Sequence, residues 1–346
     1  MLKSWRFWIG IAISLVCLYF AFQGIRLDQV ADAVRGMDAI WLIPAIALFA
    51  VSYSARVFRW QLLFSPQRLR RSNVFHALNI GYFLSNLLPA RLGDFIRAYL
   101  IGDLERVSKA RALSTVVVER LADGLTVVLL LALTALFVPN IPGEARQGAV
   151  GVAIVGVGGL VFLLVLSFQK ERGLALLKRL ASPIPFLRSD RIWQPVEGLV
   201  DGFAVLRSPR PLMGVGLWSL SAWLLGGIMF WVVMQAMHLN LPVPAAFLVM
   251  TVTSLVVVVP SSPGYIGVFH AAAVLTLTSV YSIAKSDALG YAVVMHAFSY
   301  VWLIVLGVYS IWHEGLSYER LQMIQAEPVP SDDGTANAAP VQTAKE

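Results

Sequence analysis

From Leu212 to Met237 the chain runs 26 residues without a charged side chain, and residues 288–312 again carry none. A helix of that length crosses the ~30 Å hydrocarbon layer of a bilayer. Apolar runs long enough to span lie near 7–23, 41–63, 114–138, 149–168, 212–237 and 288–312. In lipid every backbone N–H and C=O must be satisfied within the protein, which leaves helices or a closed barrel. A barrel would show short strands of alternating polarity instead of long apolar runs. With 58% hydrophobic and only 14% charged residues, the chain is far more apolar than a soluble domain, where about a quarter of residues are charged. The expected fold is an all-α polytopic membrane protein with six full transmembrane helices.

Two further apolar segments are broken in the middle. The first, over 76–101, holds Asn86-Leu-Leu-Pro89-Ala-Arg91-Leu-Gly93-Asp94-Phe-Ile-Arg97; the second, over 245–284, holds Pro260-Ser-Ser-Pro263-Gly264-Tyr-Ile-Gly267-Val-Phe-His270. Broken segments at corresponding positions of two halves point to a transporter's substrate site. The breaks are assigned to Pro89, Gly93, Pro260, Pro263, Gly264 and Gly267. Arginines and a lysine flank the first segment on both sides, so it enters and leaves from one face. Its first arm, Ala77 to Leu88, gives roughly 18 Å of helix. A re-entrant hairpin fits best, with two short full crossings as the alternative.

Lys and Arg set the orientation. With the N-terminus inside, Arg26, Arg35, Arg146 and Lys285 fall outside and the other 23 of 27 fall inside or at inner helix ends. This is the positive-inside pattern of a plasma membrane, which accounts for the net charge of +7 without nucleic acid. Both termini are expected in the cytoplasm. The same count makes the second hairpin enter from the outer face. Each half then reads helix, helix, broken hairpin, helix, in opposite orientations: an inverted-topology repeat. The expected units are a first repeat over 1–140, a second over 141–315 with a cytoplasmic loop at 169–211, and a disordered tail over 316–346, whose composition lacks large apolar residues. In the loop, Trp193, Val196, Val200, Phe203 and Leu206 share a helical face that lies either on the membrane surface or against the bundle. No small-x-small site follows the first apolar run, so no cleaved signal peptide is expected. The one cysteine, Cys17, permits no internal disulfide.

Charge at the bilayer centre costs at least ~2.5–3.5 kcal/mol, so Arg91, Asp94 and Arg97 beside the first break must pair or line a polar cavity. Asp94 and Arg97 are spaced to pair on one helix face, leaving Arg91 for an anionic group. Glu119, Arg120 and Asp123 follow on the next helix; Glu119 and Asp123 share a face and call for a cation opposite, with Arg91 or Arg97 as candidates. Arg56 and Arg59 either join this network or snorkel. His270 and His296 are the histidines of the second hairpin and the helix after it, and repeat alignment sets His296 at the place of Arg120. Arg91, Arg97, Asp94, Glu119, Arg120, Asp123 and His270 are the candidate substrate-binding residues. The histidines and the lone cysteine show no metal-site spacing. No nucleotide-binding loop or catalytic motif occurs, so no cofactor and no catalytic residue is assigned.

Together, the Pro89 to Arg97 motif, Glu119-Arg120-x-x-Asp123 and Pro260 to Phe269 resemble the lysylphosphatidylglycerol synthase transmembrane-region family, the flippase-like domain of MprF-type proteins, over residues 5–315. The resemblance implies a prokaryotic inner-membrane protein that binds or translocates a lipid. Many members carry an acid where this chain has His270. The aminoacyl transferase domain of the family's synthases is not among these 346 residues, so a stand-alone member is expected. The partners expected are membrane lipids with anionic headgroups, and an accompanying lipid-modifying enzyme. The function expected is headgroup translocation, with a membrane-embedded lipid or glycosyl transferase, or a non-catalytic partner of such an enzyme, as the alternative.

Overall fold

The structure, a computed structural model, describes residues 15–19, 21, 27–88, 91–138, 147–148, 151, 154, 158, 169–182, 193, 197, 200, 208–257 and 262–316. Among them run α1 (Leu27–Arg35), α2 (Leu42–Leu63), α3 (Arg71–Leu87), α4 (Gly93–Glu105), α5 (Lys109–Phe137), α6 (Lys170–Ala181), α7 (Pro209–Ala236), α8 (Val243–Val256), α9 (Val268–Tyr281) and α10 (Lys285–His313). No strand occurs among the described residues. The expected runs at 41–63, 114–138, 212–237 and 288–312 are α2, α5, α7 and α10. Most of the runs at 7–23 and 149–168, most of the loop at 169–211, and the tail beyond residue 316 lie outside the described residues. Among the described residues, four stretches are long and apolar enough to cross a membrane: Ala39–Leu63, Pro209–Ala236, Pro263–Tyr281 and Lys285–His313.

Both broken segments are helical hairpins. Their arms, α3 with α4 and α8 with α9, pack against each other. At 13 to 17 residues each arm is roughly 20–25 Å long, and with the turn at Pro263–Tyr265 the second arm of the second hairpin reaches 19 residues. Pro89 and Pro260 lie outside the described residues, but their neighbours show the breaks. Leu88 is extended, with φ −98° and ψ 144°, as expected of a residue before proline. Arg91 sits at φ 52°, and α4 restarts at Gly93. A Cβ on Gly93 would run into the backbone of Gly81 and Ser85, so the arms meet there with no room for a side chain. In the second hairpin a short 3-10 turn spans Pro263–Tyr265, and Gly267 precedes α9 at φ 95°, a conformation open to glycine and almost nothing else.

The most extensive packing joins α2 to α7, and it is antiparallel. Asp38 N–H donates to Ala236 C=O (2.9 Å) at one end. Ser52 Oγ donates to Ala222 C=O (2.9 Å) midway, and Leu62 covers Gly214 at the other end. Around this pair, α3 packs on α10 and α8 on α5, while α4 packs on α5 and α9 on α10. One core gathers Trp60, Phe64, Leu78, Ile96 and Ile101; the other gathers Met234, Val249, Leu277, Tyr291 and Met295. Leu174 of α6 and Val200 are buried in the first core, so at Val200 the connecting segment packs against the bundle. Hydropathy gives no sign of α1, which seats Ala33 and Val30 against Gly290 of α10.

Candidate functional site

The two hairpin breaks meet. Arg91 Nη2, at the first, lies 3.5 Å from the carbonyl oxygen of Val257, at the end of α8 and the start of the second. Beside this junction is a cavity of about 450 Å³, within the ~300–1,000 Å³ of small-molecule sites. One wall is polar: Arg56 of α2, Arg91, and Arg120 with Asp123 of α5. The rest of the lining is largely apolar, with Met229 and Phe230 of α7, Met250 of α8 and Phe269 of α9, beside Thr253 and Ser254 of α8. A smaller cavity of about 180 Å³ shares Phe49, Tyr53, Arg56 and Tyr82 with the first and is closed by Ser299, Leu303 and Leu306 of α10.

Behind the polar wall lies an ion network with fully buried members. Arg97 makes a bidentate pair with Glu119 (Nη1–Oε2 3.0 Å, Nη2–Oε1 3.1 Å) and donates from Nε to Asp94 (3.1 Å). Arg120 makes a second bidentate pair, with Asp94 (3.0 and 2.6 Å). Arg59 makes the third, with Asp123 (2.5 and 3.1 Å), and approaches Glu119 at 3.4 Å. Tyr82 O–H donates to Glu119 (3.0 Å), Trp223 Nε1–H to Asp123 (2.8 Å), and Arg59 Nη1 to Ser219 (3.1 Å). The Arg97 guanidinium also lies over the Trp60 ring, 4.9 Å from its centroid. Buried charges survive only when paired and hydrogen-bonded, and here three fork-to-fork pairs do this.

The charges do not cancel across the whole site. Arg59, Arg97 and Arg120 balance Asp94, Glu119 and Asp123, while Arg56 and Arg91 remain as surplus. Arg56 comes no nearer than 4.0 Å to Asp123 and stacks over Trp223 at 5.3 Å. The cavity wall is therefore cationic, and every carboxylate near it is engaged by an arginine.

The family profile described as lysylphosphatidylglycerol synthase TM region matches residues 7–307. The chain belongs to this family. It is also similar to the glycosyltransferase AglD of Haloferax volcanii, at 25% identity over 339 residues, covering 87% of this chain and 52% of that protein. The chain thus spans about half the length of that relative. A UPF0104 membrane protein of Methanocaldococcus jannaschii is 25% identical over 228 residues, covering 65% of this chain and 91% of the relative. Another, from Pyrococcus horikoshii, is 24% identical over 233 residues, covering 62% and 68%. The protein is a polytopic membrane protein of the lysylphosphatidylglycerol synthase transmembrane-region family.

In this family member the candidate residues divide by whether they line the cavity. Arg91, Arg120 and Asp123 line the cavity. Arg97 and Glu119 are fully buried behind it, and Asp94 is nearly so. The spacing expectation for Asp94 and Arg97 matches their contact of 3.0 Å. Arg120 and Asp123, three residues apart on α5 and so equally spaced to pair with each other, turn to Asp94 and Arg59. His270 does not line the cavity. It accepts from the Gly267 N–H (3.4 Å) at the start of α9 and stacks on His296 at 4.8 Å between centroids. The two histidines are spaced in sequence as Asp94 and Arg120 are, so a ring stack occupies the second hairpin where an ion pair occupies the first. Arg59, Arg56, Ser219 and Trp223 complete the site. The two arginines carry a sequence signal as charges within an apolar run; Ser219 and Trp223 carry none. Among the described residues, metal-ligating side chains gather away from this cavity, at His76, His313 and Glu314.

Proposed function

We propose that this protein binds the anionic headgroup of a phospholipid or glycolipid between two re-entrant hairpins and carries it across a prokaryotic inner membrane, with both termini in the cytoplasm. The observation behind this reading is the cationic surplus of Arg56 and Arg91 on a cavity wall where the two hairpin breaks meet. Guanidinium groups recognise phosphate as a planar fork. The apolar part of the lining suits the acyl or prenyl part of the same molecule. Arg97, Asp94, Glu119 and Asp123 act by holding Arg120 and Arg59 in position.

The packing supports two inverted repeats. Exchanging α2 to α5 for α7 to α10 maps the pairs α3–α10 and α8–α5 onto each other, and likewise α4–α5 and α9–α10. The antiparallel α2–α7 pair maps onto itself, as a two-fold axis in the membrane plane requires.

In proteoliposomes carrying fluorescent phospholipid, Arg91→Ala is expected to abolish translocation while the protein remains monodisperse and melts as the parent does. Arg91→Gly, which suits the positive φ, is expected to do the same. Unchanged translocation in both variants refutes the site. The similarity to AglD supports a second reading: a membrane-embedded glycosyl or lipid transferase, or the membrane-bound companion of one. Against intrinsic transferase chemistry, Asp94, Glu119 and Asp123 are each tied to arginine, so none of them is free to serve as a general base. Product formed by the purified protein from a labelled sugar-lipid donor would favour the second reading.

A further inference from the structure

We infer that His76, His313 and Glu314 form a binding site for a divalent transition metal of the zinc class, fastening the start of α3 to the end of α10. One ligating atom from each of the three lies within 4.8 Å of the other two. The imidazoles stack with centroids 4.0 Å apart. His76 is buried and held: its Nδ1 lies 3.0 Å from Ser310 Oγ, which also accepts from Asn79 Nδ2 at 2.9 Å. A hydroxyl oxygen has two lone pairs, so Ser310 can take both the Asn79 and the His76 N–H. That tautomer leaves the Nε2 lone pair of His76 free, and such an outer hydrogen bond is what orients a metal-bound histidine.

Glu314 supplies an independent reason for a cation. It caps the C-terminus of α10, where the helix dipole opposes a carboxylate, yet its side chain is only 12% exposed. Among the described residues its ionic contact is His313, at 3.3 Å. Two imidazole nitrogens and one carboxylate oxygen are a zinc donor set, with bonds of about 2.0–2.2 Å and a fourth position for water. Closing on the ion requires the half-exposed His313 to turn out of the stack while Ser310 keeps His76 fixed. The ligands come from opposite ends of the chain, so no spacing motif announces them. The same Asn79 accepts from Tyr53 O–H, and Tyr53 lines the central cavity, so the site and the cavity share one hydrogen-bonded chain.

The test uses the full chain, purified in detergent, stripped with EDTA and dialysed against zinc, with metal content read by mass spectrometry. One zinc per chain is expected, with a melting temperature several degrees higher in zinc than in EDTA. His313→Ala, at a half-exposed side chain, and the isosteric Glu314→Gln should lose the bound zinc while melting as the parent does in EDTA. Ser310→Ala should weaken binding at least tenfold, with the stoichiometry retained at saturating zinc. Absence of zinc from the parent, or equal zinc in the parent and His313→Ala, overturns the proposal and leaves a neutral histidine stack. Neither outcome depends on the lipid reading of the central cavity.

Discussion

The guanidinium of Arg97 is closed along its edges by Glu119 and Asp94 and on its face by the Trp60 ring. Removing either acid leaves this fully buried cation with one carboxylate in place of two. Breaking a buried pair from one side costs about 3–5 kcal/mol. Glu119→Gln is therefore expected to lower thermal stability sharply, read by fluorescence-detected size exclusion after heating, because it removes the negative charge between Arg97 and Arg59 and turns one of the two acceptor oxygens facing Arg97 and Tyr82 into a donor. A variant that melts with the parent would show that the network is not a stability element. Part of the network was legible residue by residue. The i,i+3 spacing identifies Asp94 with Arg97, and the like charge of Glu119 and Asp123 requires a cation opposite. The actual partners of Arg120 and Asp123 were not legible, since a contact between helices depends on their relative register, which spacing within one helix does not encode.

At the scale of elements, the first hairpin is set by close approach. Gly93 abuts the backbone of α3 at Gly81 and Ser85, and Gly81 in turn underlies the aliphatic part of Arg97. Gly93→Val must push α4 away from α3, and overpacking of this kind costs about 1–3 kcal/mol. Because the displaced helix carries Asp94 and Arg97, the variant is expected to lose headgroup binding as well as stability, measured by lipid retention in native mass spectrometry. Retained lipid at parental stability would mean that the arms tolerate separation. The hairpins themselves are visible in the sequence as short apolar arms around Pro and Gly. Their polar ends are not: α3 begins at Arg71, ahead of the apolar stretch, because Asn73 Nδ2 and Arg70 N–H both donate to Glu105 at the far end of α4 (2.7 and 3.0 Å). That tie between the two feet of the hairpin is invisible to hydropathy.

At the scale of the whole molecule, the antiparallel α2–α7 pair has a consequence for sidedness. In a background with Cys17 replaced by serine, Arg106→Cys and Ala284→Cys probe the connections after the first and second hairpins. The inverted repeat predicts that a membrane-impermeant thiol reagent reaches them from opposite faces of sealed vesicles; labelling from one face would end that reading. The ion network also bears on how the chain is made. Leaving the translocation channel alone, α5 would carry Glu119, Arg120 and Asp123 into lipid, with Arg or Asp near the centre costing about 2.5–3.5 kcal/mol each. Arg59, Asp94 and Arg97 are synthesised ahead of it, whereas Ser219 and Trp223 come after. Order of synthesis thus delivers the counter-ions first, and α5 should enter the bilayer as the last member of a group instead of by its own hydrophobicity. Replacing Arg59 and Arg97 together with leucine is expected to leave α5 uninserted in glycosylation mapping, while α7, which has no acid or base after Arg210, inserts unaided.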